Sequence, residues 1–308
     1  MLKKRHGEIA VAILCFITGI NMVMGTIIFG GIETNLIYQP INRDFKDIWI
    51  DIDQPVQDTY FFSRDGVKLN AWYVKAKQGK PTIIYCHGQG DNITLWQNVI
   101  KYFSDLGYGV FLLEYRGHGR SSGKPFESGL YMDLESAVKH LKTAEKVPQE
   151  DVILWGRSLG GAVVADVASR NKYKAVILES TFTNIRDEAL HLTGTGILEA
   201  KFGFWKWISG LVVKLMPLTQ KFETEKKIHK IKSPLLIGHS IHDTTVPVEM
   251  SYKLRTLHGS AKLFICDTGS HHESDWFFPE VTEFLETIES GTIQGQDANS
   301  EPLSDKQA

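Results

Sequence analysis

The chain has few cysteines and no basic block, and both shortages limit what it can be. Among its 308 residues there are only three cysteines, Cys15, Cys86 and Cys266, with no C-x-x-C pair and no zinc-ligand spacing. A disulfide framework or a zinc module therefore has no basis in the sequence. The formal net charge is −2, so binding to nucleic acid or another polyanion has no support. The sequence implies neither a metal nor an organic cofactor.

Charge is also missing from a long stretch near the N-terminus. Residues 1–8 contain Lys3, Lys4 and Arg5, whereas Ile9 to Ile32 contains no charged residue and is mostly aliphatic. As a helix, this run would be about 36 Å long, enough to cross a hydrocarbon core of roughly 30 Å. We expect an uncleaved transmembrane anchor at 9–32, with a cleaved signal peptide as the alternative. The preceding basic residues predict a cytoplasmic N-terminus and place the rest of the chain on the extracytoplasmic side of the membrane.

Beyond the anchor, the sequence predicts an extended connector at 33–58, one domain at 59–290 and a disordered polar tail at 291–308. The domain opens with a β-hairpin around an Asp-Gly turn at 65–66. After Pro81, short apolar strands alternate with helical stretches, which predicts a mostly parallel, eight-stranded sheet with helices on both faces. The strands after the hairpin are predicted at Thr82–Cys86, Val110–Tyr115, Val152–Trp155, Ala175–Glu179, Leu235–His239 and Lys262–Cys266. The helices are predicted at about 93–106, 129–145, 159–170, 248–257 and 279–288.

One connection in this pattern is much longer than an ordinary crossover. It occupies residues 181–232 and is rich in aromatic side chains. We interpret it as a helical cap inserted over the carboxyl edge of the sheet. Its Trp205 and Trp207 are candidate substrate-binding residues. Such aromatics can line an acyl pocket or lie at a membrane interface, and both alternatives predict an apolar acyl substrate.

The candidate nucleophile is Ser158, within Gly156-Arg157-Ser158-Leu159-Gly160. A predicted strand precedes this motif and an alanine- and valine-rich helix follows it, which is the context of a nucleophile elbow. The turn is so sharp that side chains two residues before and after the serine would collide with neighbouring backbone, so glycine is needed there. The serine hydroxyl would lie at the N-terminus of the helix, where the helix dipole favours negative charge.

Two later loops contain the other groups that a serine nucleophile needs. Asp243 and His271 each follow a predicted strand, in the chain order serine, aspartate, histidine that this kind of sheet requires. A histidine can take the serine proton and return it to the leaving group. The aspartate would hold the imidazole tautomer and stabilise its charged form. His272 is the alternative base, and Asp267 is the alternative acid.

The loop at 87–90, His-Gly-Gln-Gly, follows the first central strand and precedes a helix. A glycine-rich turn at this place lets backbone N–H groups face a ligand, and we assign the oxyanion hole to the N–H groups of Gln89 and Leu159. Alternatively, the glycines serve packing alone. His87 and Gly88 are further candidates for contact with substrate. We expect the His87 side chain to orient the loop rather than to act as the base.

Together these motifs resemble membrane-anchored serine hydrolases of the α/β-hydrolase superfamily, which are grouped with the S33 serine aminopeptidases and the abhydrolase-domain proteins. The resemblance spans residues 59 to about 288 and rests on the segments at 87–90, 114–123, 156–161, 243–247 and 269–271. It implies the α/β-hydrolase fold, a Ser158–His271–Asp243 triad and acyl-transfer chemistry. Two features depart from the relatives: Ser240 stands where they usually have glycine, and the cap is longer and more aromatic.

We therefore expect a serine hydrolase that cleaves ester or thioester bonds through an acyl-enzyme. The alternatives are a serine peptidase or aminopeptidase acting on small peptides, and a catalytically silent binding protein with the same fold. The expected partners are a small acyl or lipid-like substrate and the membrane that holds the anchor.

Overall fold

The structure, a computed structural model, describes residues 33–35, 37–38, 55–194, 213–214 and 218–291. Several predictions concern residues outside this set. They are the cytoplasmic segment at 1–8, the anchor at 9–32, the tail after residue 291, and the part of the cap that contains Trp205 and Trp207. Within the described residues, no helix combines the length and apolar character needed to span a membrane.

The described strands form one eight-stranded sheet. They are β1 (Gln57–Phe62), β2 (Lys68–Val74), β3 (Thr82–Cys86), β4 (Gly109–Glu114), β5 (Val152–Arg157), β6 (Ala175–Glu179), β7 (Leu235–Ser240) and β8 (Lys262–Cys266). Their spatial order is β1-β2-β4-β3-β5-β6-β7-β8. β2 pairs antiparallel with β1 and β4, and the other neighbouring pairs are parallel. The predicted mostly parallel, eight-stranded sheet is confirmed.

Burial along the strands follows from their position in the sheet. The central strands β3, β5, β6 and β7 are buried at every residue, because helices cover both faces and apolar residues occupy both sides. β1 and β8 lie at the two edges and are partly exposed. Since β3 to β8 run parallel, their carboxyl ends share one edge of the sheet, where the ligand sites of such sheets are found.

Helices pack on both faces, as the alternating pattern predicts. The described helices used below are α1 (Gln97–Asp105), α2 (Glu127–Thr143), α3 (Leu159–Ala168), α4 (Ile185–Gly194), α5 (Glu249–His258) and α6 (Phe278–Glu289). Buried side chains of α2, α3 and α5 belong to one core cluster, which includes Leu134, Val163 and Leu254. Those of α1 and α6 belong to a second cluster, which includes Phe103 and Val281.

The described parts of the predicted cap at 181–232 contain α4 and two short 3-10 turns, Thr224–Lys226 and Ile228–Lys230. This segment connects β6 to β7, as expected for an insertion between two neighbouring strands. The rest of the cap lies outside the described residues, so a complete helical cap stays a prediction.

The described residues at the start of the connector differ from the extended segment expected at 33–58. Residues 33–35 and 37 are helical, and Ile37 and Tyr38 are buried in the core cluster on the side of α2 and α3. Two apolar side chains, too few to form a periodic pattern, find partners in that core. The globular body therefore includes residues that precede the predicted boundary at 59.

Candidate active site

Ser158 lies at the turn between β5 and α3, where a nucleophile elbow was expected. Its backbone has φ 52° and ψ −118°, a conformation that residues other than glycine rarely adopt and that tends to occur at functional sites. The Ser158 N–H donates to the carbonyl of Glu179 over 2.8 Å. Thr181 Oγ1 donates to the Ser158 carbonyl, also over 2.8 Å. These two bonds to the residues at the end of β6 hold the strained turn.

The elbow glycines are required by close backbone contacts. A Cβ atom on Gly156 would lie 2.2 Å from the Gly160 carbonyl oxygen, and one on Gly160 would lie 2.0 Å from the Cys86 carbonyl oxygen. Real Cβ atoms do not approach backbone oxygens so closely, because van der Waals repulsion rises steeply at such distances. The elbow therefore packs against the end of β3, which brings Ser158 next to the loop at 87–90.

Asp243 and His271 form a buried pair. Asp243 lies in the loop after β7 and His271 in the loop after β8, and His271 Nδ1 is 2.7 Å from Asp243 Oδ2. Because an ionised carboxylate only accepts hydrogen bonds, Nδ1 carries the proton. In the neutral ring, Nε2 is then unprotonated and can accept a proton, as a general base must.

Three hydrogen-bond donors and a second imidazole ring surround the Asp243 carboxylate. Oδ1 accepts from the backbone N–H groups of Thr245, at 2.9 Å, and Val246, at 2.8 Å. Oδ2 faces His271 and also His239, whose Nε2 is 3.3 Å away. Burial alone would raise the pKa of Asp243, but the interactions with His239 and His271 bring that pKa far below its usual range. The carboxylate therefore stays negative and can stabilise an imidazolium.

Burial also sets the charge state of His271. It lowers the pKa of His271, the hydrogen bond to Asp243 and its charge oppose this effect, and Arg157 and His272 lower the pKa further, so the net pKa lies below the usual value. His271 is therefore neutral at pH 7. Of the two adjacent histidines, His271 is the one bonded to Asp243, whereas His272 is exposed. The alternative acid, Asp267, is exposed as well.

Ser158 reaches the same edge of the sheet as this pair, because β5, β7 and β8 are parallel. In the described residues, no hydrogen bond joins the Ser158 hydroxyl to His271, so the three side chains are not linked into a complete triad. Such bonds are often long in unliganded enzymes and shorten when substrate binds. The serine-to-histidine step therefore belongs to the proposal below.

The loop after β3 contains a buried, doubly bonded His87. Its Nδ1 lies 2.9 Å from the Gly88 carbonyl oxygen, and its Nε2 lies 3.1 Å from Glu114 Oε1. A carbonyl oxygen and an ionised carboxylate both accept hydrogen bonds, so this arrangement favours the protonated ring. Burial lowers the pKa of His87, but the bond to Glu114 and its charge raise that pKa above the usual value. This side chain orients the loop, and its direct contact with substrate stays a prediction.

The bond from His87 to Gly88 also sets the direction of the candidate oxyanion donor. In a planar trans peptide, C=O and N–H point in opposite directions, so fixing the Gly88 carbonyl fixes the Gln89 N–H. Leu159 is the first residue of α3, and an N–H at that position has no partner within its own helix. A Cβ atom on Gly88 would lie 3.4 Å from Ser158 Cβ. The two candidate donors and the candidate nucleophile thus share one small region.

The sequence predicted no role for His239, which is buried at the end of β7 beside Asp243. Its Nε2 lies 2.9 Å from the Val246 carbonyl oxygen and 3.3 Å from Asp243 Oδ2, so Nε2 carries a proton. Its Nδ1 lies 2.6 Å from Ser251 Oγ. The available signal was a histidine at the end of a strand, four residues before the acid. Spacing alone does not tell which histidine faces a given carboxylate.

Ser240, one of the two departures from the relatives, joins the acid loop to the base loop. Its hydroxyl donates to the Gly269 carbonyl over 2.9 Å and accepts from the His242 N–H over 3.1 Å. Gly269 has φ +79°, and a Cβ atom there would lie 2.3 Å from the Trp276 ring. The departure therefore adds a bond between the loops of Asp243 and His271.

A second buried carboxylate, Glu179, lies behind the elbow at the end of β6. It accepts hydrogen bonds from Trp155 Nε1, over 2.9 Å, and from the Ser274 hydroxyl, and it lies 3.6 Å from Arg157 Nε. Burial raises the pKa of Glu179 to about 7, although Arg157 opposes the rise. Because Ser274 lies in the loop of His271, Glu179 connects the elbow to that loop.

Two histidines around one carboxylate would also suit a metal. In the described part of the chain, however, no three His, Cys, Asp or Glu side chains are grouped so that they could hold a metal ion.

Comparison with known proteins agrees with this fold. Residues 77–225 match the model of the family described as Serine aminopeptidase, S33. The Alpha/beta hydrolase domain-containing protein WAV2 of Arabidopsis thaliana is 29% identical over 273 residues, which cover 83% of this chain and 86% of that protein. Lysophosphatidylserine lipase ABHD12 of Danio rerio is 32% identical over 203 residues, which cover 62% of this chain and 51% of that protein.

Among solved structures, an esterase from Pyrococcus furiosus superimposes with a TM-score of 0.65 at 24% identity, covering 81% of this chain and 97% of that chain. A likeness at this identity shows the fold. With the strand order and the elbow, it follows that the chain has the α/β-hydrolase fold. The family match and the names of the similar proteins further support a hydrolase, with esterase-like and lipase-like neighbours.

Proposed function

We propose that the protein is a serine hydrolase that cleaves carboxylic ester or thioester bonds through an acyl-enzyme. The observation that carries this proposal is the buried pair of His271 and Asp243, in which Nδ1 lies 2.7 Å from Oδ2. This pair lies at the same edge of the sheet as the strained turn that contains Ser158. A serine hydroxyl is a weak nucleophile unless a base lies next to it. In this pair the proton is on Nδ1, so Nε2 is available as that base.

In the proposed reaction, His271 Nε2 takes the proton of Ser158 Oγ as that oxygen attacks the acyl carbonyl. The N–H groups of Gln89 and Leu159 stabilise the oxyanion. His271 then gives the proton to the leaving group, and Ser158 is left acylated. The same base activates water to release the acid, while Asp243 compensates the positive charge on the ring.

Ester or thioester cleavage is favoured over peptide cleavage by the names of similar proteins, which include a lipase and an esterase. An aminopeptidase would use the same catalytic groups and is the alternative that the family description suggests. A preference for medium or long acyl chains over acetyl rests on the aromatic sequence of the cap. Trp205 and Trp207 as substrate-binding residues belong to the same proposal.

The proposed setting is a membrane, crossed once by residues 9–32, with the N-terminus in the cytoplasm and the catalytic domain on the opposite side. Support comes from the uncharged run and from the basic residues that precede it.

A fluorophosphonate probe, which reacts with activated serines, tests the proposal in the full-length protein. We expect labelling of the wild type and of Ser169→Ala, a matched serine variant at the end of α3, but not of Ser158→Ala. A panel of p-nitrophenyl esters, acyl-CoA thioesters and aminoacyl amides then separates the substrate classes. Wild type that is neither labelled nor active on any of them would favour the silent binding protein instead.

A further inference from the structure

Residues 33–35, 37 and 38, which we call the N-terminal strap, contact the loop that contains the candidate oxyanion donor. The carbonyl oxygen of Tyr38 accepts a hydrogen bond from the Gly90 N–H over 3.2 Å. The same oxygen lies 3.3 Å from Nε2 of His118. Tyr38 is fully buried, so this contact is part of the packed interior. A segment that precedes β1 in the sequence thus contacts the loop at the carboxyl edge of the sheet.

The contact matters because Gln89 lies between two peptide planes that are both held. The plane that joins Gly88 to Gln89 is held by His87 through the Gly88 carbonyl. The plane that joins Gln89 to Gly90 is held by Tyr38 through the Gly90 N–H. Gly90 has φ +72°, so the chain turns sharply immediately after Gln89. Fixing both planes fixes the Gln89 backbone and therefore the direction of its N–H.

The strap is itself fastened by the carboxylate of Glu33, which is 2% exposed. Oε1 accepts from the Gln220 N–H over 2.8 Å, and Oε2 accepts from the Thr219 N–H over 3.1 Å and from the Thr219 hydroxyl over 2.7 Å. The Tyr38 hydroxyl donates to Gln220 Oε1, which also accepts from the Glu127 N–H over 2.8 Å. The strap therefore connects residues 219 and 220, in the part of the cap that precedes β7, with the start of α2.

We propose that the N-terminal strap is a positioning element of the active site, in which Glu33 holds Tyr38 so that the Gln89 N–H points at the developing oxyanion. The inference rests on the proposed function. Glu33 directly follows Ile32, the last residue of the predicted anchor. The predicted anchor and the strap are therefore adjacent in the chain. A truncation that removes the anchor but keeps the strap has to begin no later than residue 33.

A positioning role has a kinetic signature that a purely structural role lacks. An oxyanion donor acts on the transition state more than on bound substrate, so displacing it lowers kcat and leaves KM nearly unchanged. Removing one such donor outright costs about 10²- to 10³-fold in kcat. A donor that is displaced but still present should cost less, on the order of tenfold. A structural role would reduce the number of folded sites without changing kcat per site.

The test uses the full-length variants Glu33→Ala and Glu33→Gln, with Val281→Ala as control. Val281 is buried on α6, in the core cluster that does not include Tyr38, so its truncation destabilises the protein without touching the strap. Fluorophosphonate titration counts the active sites, and ester hydrolysis gives kcat per titrated site and KM. We expect kcat per site about tenfold lower in Glu33→Ala, with KM within about twofold. Glu33→Gln should show a smaller loss, and Val281→Ala none.

An unchanged kcat per site in both Glu33 variants would overturn the proposal, whatever happens to their thermal stability. A raised KM at unchanged kcat would also overturn it, because the strap would then act through the cap on substrate binding. If Glu33→Ala fails to fold, Glu33→Gln, which keeps the size of the side chain, decides the question alone. Failure of the proposed function is distinct, because the wild type itself would then have no site that Ser158→Ala removes.

Discussion

Replacing Asp243 with asparagine tests the proton arrangement of the proposed triad. In the structure, Oδ1 accepts two backbone N–H groups, from Thr245 and Val246, and Oδ2 faces the N–H groups of His271 and His239. An asparagine has a single side-chain oxygen. The backbone donors are fixed in place, so that oxygen stays with them and the NH2 group faces the two rings. A donor then faces a donor, and His271 has to move its proton from Nδ1 to Nε2.

With the proton on Nε2, His271 has no site that can accept the proton of Ser158. The substitution also removes the charge that stabilises the imidazolium. A loss of this kind lowers kcat by about 10⁴-fold, which corresponds to about 5 kcal/mol of transition-state stabilisation. The side chain keeps its size and its bonds to the backbone of Thr245 and Val246, so the loop should keep its conformation.

The assay is kcat for a p-nitrophenyl ester at pH 8, expressed per folded molecule after thermal unfolding has confirmed the fold of each variant. Asp267→Asn is the matched control, because it makes the same chemical change at the exposed alternative acid. The reasoning is refuted if Asp243→Asn stays within tenfold of the wild type, or if Asp267→Asn shows the large loss instead.

Three further predictions concern the base, the buried Glu179 and the elbow. His271→Ala should lower kcat by about 10⁶-fold, whereas His272→Ala should stay within about tenfold of wild type; the reverse ranking would exchange the two roles. Because the pKa of Glu179 is raised to about 7, the folded protein keeps a proton that the unfolded chain releases between about pH 4.5 and pH 7. The free energy of unfolding should therefore fall more across that window in the wild type than in Glu179→Gln. The difference between the two falls, measured by urea titration, should be on the order of 1–3 kcal/mol. Equal falls in the two proteins would contradict the burial of Glu179 as the cause. Gly160→Ala should lower both thermal stability and kcat, because its Cβ would meet the Cys86 and His87 carbonyl oxygens at 2.0 and 2.6 Å. Gly259→Ala, at a glycine with φ +82° and open space around it, should lower stability alone.

The sequence by itself determined the sheet and the identity of the candidate nucleophile. Apolar strands alternating with helices predicted the eight-stranded sheet, and the strands observed begin and end within two residues of those expected. Gly156, Ser158 and Gly160 form a motif in which the tight turn itself requires the glycines. The turn occupies only five consecutive residues, so this requirement is local. Such features can be predicted from the sequence, because the hydrophobic period and the steric limits of a turn depend on residues that are close together in the chain.

The partners within the site were decided by the tertiary structure. The sequence left His271 and His272 as alternatives, and the structure gives the bond to Asp243 to His271. It also places His239 on the same carboxylate. Each of these facts depends on which way a loop turns at the end of a strand, and adjacent residues of one loop differ in that respect without any change in composition or spacing.

The N-terminal strap is the clearest case of a feature that only the tertiary structure decided. In the sequence, Glu33 and Tyr38 stand in a short polar and apolar mixture without a period, and an extended connector was the natural expectation. In the fold, Glu33 meets Gln220 and Tyr38 meets Gly90, residues far away along the chain. Such contacts form because a buried carboxylate and a buried carbonyl must find donors, and which donors lie within reach depends on the packing of the whole domain.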